Sequence, residues 1–156
     1  MHSKSTDKRK GTYIIILHLP EEKQIEVGRL GKFRFTKGYY AYVGSALGAG
    51  GLQQRLSHHI QPAENPHWHI DYLRAHSRLV EIWFTKSFEK LEHTWAKILT
   101  KMPGGNFFLT GFGSSDCKCI SHLYYFGSLP CFQNFMNLLQ MKLRREPQKV
   151  ERLLVN

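Results

Sequence analysis

Apolar runs of two kinds follow one another along the chain, and together they predict a mixed α/β fold. Gly11-Thr12-Tyr13-Ile14-Ile15-Ile16-Leu17 is β-branched and aromatic, the pattern of a buried strand. Pro20 to Lys23 reads as a turn. Short strands follow over 24–27 and 32–35, where Phe33 and Phe35 alternate with Arg34 at a period of two. The tyrosine-rich stretch 38–43 is a further strand, and the glycine-rich stretch 44–51 reads as a loop. Leu52, Leu56 and Ile60 then share one face of a helix over 52–60. Pro62 and Pro66 bracket a linker, and a second helix over 69–76 turns Ile70 and Leu73 inward. Residues 79–84 return to strand. Ser87 is placed to cap a helix whose buried stripe is Phe88, Leu91, Trp95, Ile98 and Leu99, ended by Pro103-Gly104-Gly105. Residues 106–126 read as loop-rich, and 131–145 as an amphipathic helix. The pattern divides the chain into a flexible basic arm (1–10), a domain (11–126) and a helical C-terminal extension (127–156), with no internal repeat.

Charge narrows the class of partner. The 156 residues carry 22 Lys and Arg against 12 Asp and Glu, a formal net charge of +10. Such a field attracts polyanions, of which nucleic acid is the commonest, although a basic surface can also serve solubility alone. Three cysteines, an odd number, argue against a secreted disulfide framework. The first ten residues lack the apolar core of a signal peptide, and no apolar run reaches membrane-spanning length. The expectation is a soluble, cytoplasmic protein with no membrane partner.

The chemistry-bearing residues fall in a definite order. Gly11-Thr12-Tyr13 opens the first strand and Tyr42-Val43-Gly44 closes a later one; Arg55 follows on one helix and Glu92 on another. This order resembles the GIY-YIG endonuclease superfamily, with threonine and valine in place of the two middle isoleucines. Gly38 to Ala46, Arg55-Leu56-Ser57-His58-His59, His67 to Leu73 and Gly111 to Cys117 resemble, more narrowly, a GIY-YIG-like branch sometimes fused to endonuclease-III-type glycosylases. The resemblance covers about residues 11–126 and implies an α+β domain with a small, mostly antiparallel central sheet flanked by helices. It also implies hydrolysis of phosphodiester bonds with one Mg²⁺ or Mn²⁺ ion, DNA being favoured over RNA as substrate, and a place in DNA repair.

The residue types suit that reaction. A phosphate gains negative charge toward the transition state, and the Arg55 guanidinium offers a planar cationic fork for its oxygens. Glu92 is a hard oxygen ligand of the kind these ions prefer, leaving other positions to water and phosphate. The resemblance implies that Tyr13 receives the proton of the attacking water, with Tyr42 nearby to orient it. A free phenol has a pKa of about 10, so Tyr13 needs help from positive charge. His59, four residues after Arg55 and on the same helix face, can bond to Tyr13 or shuttle its proton. Alternatively, Tyr13 only orients the water, or both tyrosines are ordinary packed strand residues. Glu89, one turn earlier, competes with Glu92.

Further polar groups are candidates for the rim of such a site. Lys32, Arg34, Lys37 and Arg74, with Gly44, Ser45 and Gly50, are candidate nucleic-acid contacts that would position the polymer without reading its sequence. Gly50 belongs to a glycine-rich stretch that either lets a helix N-terminus approach phosphate or makes a tight connection. His67, His69 and Asp71 are accessory candidates, with a capped helix start as the plainer reading. Asp116 belongs to a turn that would rim the cleft. Cys117, Cys119 and His122 permit a zinc reading, in which Asp116 or Cys131 would be the fourth ligand. Three readings therefore stand: a metal-dependent, structure-selective or weakly sequence-specific endonuclease; a catalytically silent nucleic-acid-binding module on the same scaffold; and a zinc-held structural or interaction module.

Overall fold

The computed structural model describes residues 8–107, 112, 121–143 and 149–155. Its centre is the strand expected at 11–17, which runs as β1 (Gly11–Leu19) and is buried almost throughout. β2 (Lys23–Val27) and β3 (Gly31–Phe35) form a separate two-stranded hairpin. β4 (Gly38–Ala46) continues three residues past the predicted strand end, because Gly44, Ser45 and Ala46 still pair with Tyr13, Thr12 and Gly11 of β1. Helices α1 (Gly51–Ile60) and α2 (His69–Arg74) follow, then β5 (Arg78–Lys86) and helix α3 (Glu92–Lys101). The short strand β6 (Asn106–Phe107), β7 (Leu123–Phe126), helix α4 (Phe132–Leu143) and β8 (Glu151–Leu154) complete the chain. The main sheet has six strands in the order β6-β7-β4-β1-β5-β8, and every pairing is antiparallel. The fold is thus the α+β class expected, with helices on both sides of the sheet.

Alternation along β1 sorts the core into two layers. Tyr13, Ile15 and Leu17 pack with Leu52 of α1, Ile70 and Leu73 of α2, and the β2–β3 hairpin. Ile14 and Ile16 face the opposite way, onto Trp95 and Leu99 of α3 and Phe135 and Leu139 of α4. Both layers are dry, so each fully buried Ile, Leu or Phe contributes about 1.5–3 kcal/mol of transfer free energy.

Three expectations are corrected. Helix α3 begins at Glu92 rather than at Ser87. Ser87 Oγ accepts the Glu89 N–H and closes a turn, and the first helical bond runs from Trp95 N–H to Leu91 O. Phe88 therefore lies outside the buried stripe and is 84% exposed. The arm is tied down where it is described: the carbonyls of Arg9 and Lys10 accept the N–H groups of Leu52 and Ser87. The stretch beyond 127 is helical only over α4. It is built into the domain, β8 pairing with β5 while the Glu81 carboxylate takes two bonds from the Arg152 guanidinium.

Phe135 is fully buried, its ring 5.3 Å from that of Trp83 and 5.1 Å from that of Trp95. Phe135→Ala is expected to cost about 3–5 kcal/mol, read as a shift in the urea midpoint at unchanged slope. A loss below about 0.5 kcal/mol, within the range of surface substitutions, would show that α4 is only appended.

Candidate active site

The site forms where β4 outlasts its neighbour. β7 pairs with β4 from Tyr39 to Tyr42, and one more bond runs from Val43 N–H to His122 O. Past that point, among the described residues, no strand pairs with the β4 edge at Gly44 and Ser45 on the β7 side. An open cleft of about 540 Å³ occupies this place, its walls including Tyr42, Gly44, Ser45, Arg55, Trp68 and Glu92.

Ser45 joins the two faces of the sheet. Its carbonyl accepts a bond from Arg55 Nη1 at 3.1 Å, reaching from α1. Its hydroxyl donates to Glu92 Oε1 at 3.1 Å, at the start of α3. Arg55 is held from the other side by Trp68, whose ring centroid lies 4.4 Å from the guanidinium carbon. Glu92 Oε2 lies 3.0 Å from His122 Nδ1. Burial opposes charge on Glu92, but the hydrogen bonds and charge of His122, the Ser45 hydroxyl and the charge of His93 outweigh it. The carboxyl is accordingly held below its usual pKa. Its place in the first turn of α3 acts in the same direction.

Behind this wall lies a dry pair. Tyr13 is fully buried, and its hydroxyl is 2.7 Å from His59 Nε2. Gly44 faces Tyr13 across the β1–β4 ladder, and a Cβ there would stand 2.5 Å from the Tyr13 hydroxyl. Glycine is therefore required for close approach, and the phenol lies directly beneath a residue of the cleft wall. Burial raises the Tyr13 pKa above that of a free phenol, with Arg55 pulling the other way. Burial also raises Tyr42, aided by the nearby Tyr13 and Glu92. Burial, with the charge of His58 and the nearby Arg55 and Arg74, lowers His59 to about 3 against the pull of Asp71, so the imidazole is neutral at physiological pH.

The remaining candidates divide. His67 and His69 line the cleft, and His69 packs on the Phe112 ring at 5.5 Å. Asp71 does not line it: its carboxylate accepts the N–H groups of His67 and Trp68 and pairs with His58 Nε2 at 2.9 Å, the capped helix start that was the plainer reading. Arg74 is corrected from a nucleic-acid contact to a helix cap. It is buried, and its guanidinium donates to the carbonyls of His59, Ile60 and Ser77, so the C-terminus of α1 takes up its hydrogen-bonding capacity. Lys32, Arg34 and Lys37 are exposed on or just after the β2–β3 hairpin and do not line the cleft, and Arg34 pairs with Glu22 at 2.9 Å. Gly50 is also absent from the lining. Gly51, at φ +65°, packs so closely on the backbone of Lys8 and Arg9 that the tight-connection reading applies.

Lys90, His93 and Trp68 line the cleft although sequence reasoning did not select them for it. The signal of Lys90 and His93 was hidden by Phe88, whose spacing matches the buried stripe and draws the start of α3 too early. His122 lines the cleft too, bonded to Glu92; Asp116, Cys117 and Cys119 lie outside the described residues. Cys131 is an exposed free thiol. Among the described residues no group of three His, Cys, Asp or Glu side chains is arranged around a common metal position, and no helix is long and apolar enough to cross a membrane.

A family model described as a domain of unknown function, DUF123, matches residues 12–144. No curated protein and no solved structure matches the chain.

The unfolded chain protonates a histidine near 6.5, whereas the folded chain resists protonation of His59 down to about 3. The stability linked to neutral His59 is complete above the unfolded value. It falls as the pH drops through that window, by up to about 1.4 kcal/mol per unit. Urea unfolding from neutrality down to about pH 4 should therefore show a steeper loss for the native chain than for His59→Gln. Parallel profiles for the two proteins would mean that His59 is solvated and the pair is not dry.

Proposed function

The chain belongs to the DUF123 family, a domain of unknown function, and from that premise we propose that it is a metal-dependent endonuclease of the GIY-YIG type that hydrolyses phosphodiester bonds in DNA. The observation that carries the reading is the meeting of Arg55 and Glu92, from opposite faces of the sheet, on the two oxygens of Ser45 beside an open cleft. A cation and an ionised carboxylate held apart in that way suit a phosphate between them, with Arg55 turned to its non-bridging oxygens.

The donor set fits one hydrated divalent ion held by Glu92. The carboxyl is kept ionised, each of its oxygens retains lone-pair capacity beside the bond to Ser45 or His122, and the cleft has room for water and phosphate. Bound there, an Mg²⁺ or Mn²⁺ ion supplies positive charge that stabilises the leaving oxygen. Ser45 and His122 fix the orientation of the carboxylate. Trp68 holds the Arg55 side chain in place and shields one face of its guanidinium. Tyr42, on the cleft wall, orients the attacking water. Tyr13, under Gly44, takes the water's proton over the glycine while neutral His59 accepts the phenol proton across the 2.7 Å bond. Passing the proton on in this way leaves hydroxide at the cleft and an imidazolium at His59 in place of a phenolate at Tyr13.

The complete burial of Tyr13 favours a second reading, a nucleic-acid-binding module that keeps the scaffold and has lost cleavage. The two separate in a nicking assay on supercoiled plasmid, single-stranded and branched DNA with Mg²⁺ or Mn²⁺. Cutting by the native chain, with a drop of about 10²–10³-fold in Arg55→Ala and a comparable drop in Glu92→Gln, is the expected result. Undiminished cutting by both variants would place the chemistry elsewhere, and salt-sensitive binding without cutting under either ion would establish the silent module.

A further inference from the structure

Phe88 is the most exposed large apolar side chain among the described residues, at 84%. Its exposure is built in. The turn closed by Ser87 and Glu89 delays α3, and Leu91 rather than Phe88 enters the core. The loop is anchored at its other side, where Ser87 N–H donates to Lys10 O. Lys90 of the loop lines the cleft directly, and the ammonium of Lys10, to which Ser87 is bonded, donates to the carbonyl of Gly48, another lining residue. An exposed aromatic ring thus stands in a loop whose Lys90 lines a cleft that already holds Arg55 and Trp68, and whose Ser87 is bonded to Lys10.

Cations interleaved with exposed aromatics are what an unpaired strand requires, because the cations track the phosphates while the ring offers its face to a base. A paired base in a duplex is already stacked on its neighbours and gains nothing from the ring. We propose that Phe88 is a stacking platform for an unpaired base of a DNA strand whose phosphates Lys10 and Lys90 hold at the cleft mouth. This deepens the endonuclease reading, on which it rests, by making the substrate a single-stranded or unpaired junction segment rather than continuous duplex.

The test is fluorescence-anisotropy titration of the full chain with a short single-stranded DNA and with the duplex of the same sequence, in EDTA so that binding is read without cleavage. Phe88→Ala, an exposed substitution, is expected to leave the thermal melting temperature unchanged. It should weaken single-strand binding about tenfold, in line with one lost base–aromatic stack, and change duplex binding less than twofold. Phe88→Tyr should retain affinity and Phe88→Leu should not. An equal loss on both DNA forms, or full affinity in Phe88→Leu, overturns the stacking role. Native-like single-strand binding by Phe88→Ala overturns it while leaving the endonuclease reading intact. Failure of the native chain to bind either DNA overturns both.

Discussion

One strand reaching beyond its neighbour makes this site possible. Were β7 to accompany β4 to its end, the Gly44–Ser45 edge would be covered and its hydrogen-bonding groups consumed in the ladder. Among the described residues β7 pairs with β4 only as far as Tyr42, and Ser45 gathers side chains instead of a strand. Its carbonyl takes Arg55 from one face of the sheet and its hydroxyl takes Glu92 from the other. Buried polar groups must find partners. Here that requirement draws opposite charges from two helices, far apart in sequence, to a single residue at the mouth of a cleft.

The interior behind Ser45 follows from the same register. Tyr13 sits opposite Gly44, so the phenol can lie flat under the cleft wall only because that wall has no side chain at this point. The resulting burial opposes charge on both partners: it keeps His59 neutral by disfavouring its protonated form, and it makes phenolate at Tyr13 costly. Arg55 offsets part of the cost at Tyr13.

Much of the fold was legible in the sequence because period-two and helical patterns are local properties. β1, β4, α1 and α2 lie close to where the apolar residues put them. What escaped was decided by contacts distant in sequence. The end of β4 reads as loop because Gly44 and Ser45 carry no strand signal of their own; only pairing with Tyr13 and Thr12 keeps them extended. Phe88 fits the stripe of α3 yet stands outside it, since the backbone bond between Ser87 and Lys10 is invisible in either segment alone. β8 has no strand partner within its own stretch of chain and pairs instead with β5. Within the candidate site, Tyr42, Arg55 and Glu92 meet at the cleft as their order suggested, with Tyr13 and His59 directly behind. Arg74 could not be told from a solvent-facing cation, because the carbonyls that claim it belong to the preceding helix. Lys32, Arg34 and Lys37 lie between Tyr13 and Tyr42 in sequence but travel with the hairpin, while Lys90, further along, takes the place at the rim.

The central claim is spatial: a phosphate and a divalent ion occupy the cleft between Arg55 and Glu92. The most direct test is a crystal structure with a non-hydrolysable single-stranded DNA analogue and Mn²⁺, using the anomalous signal to locate the metal. The account predicts an anomalous peak on the Glu92 carboxylate, with a phosphate between that peak and the Arg55 guanidinium. Metal and phosphate found together elsewhere on the molecule, with Arg55 and Glu92 still closed on Ser45, would contradict it.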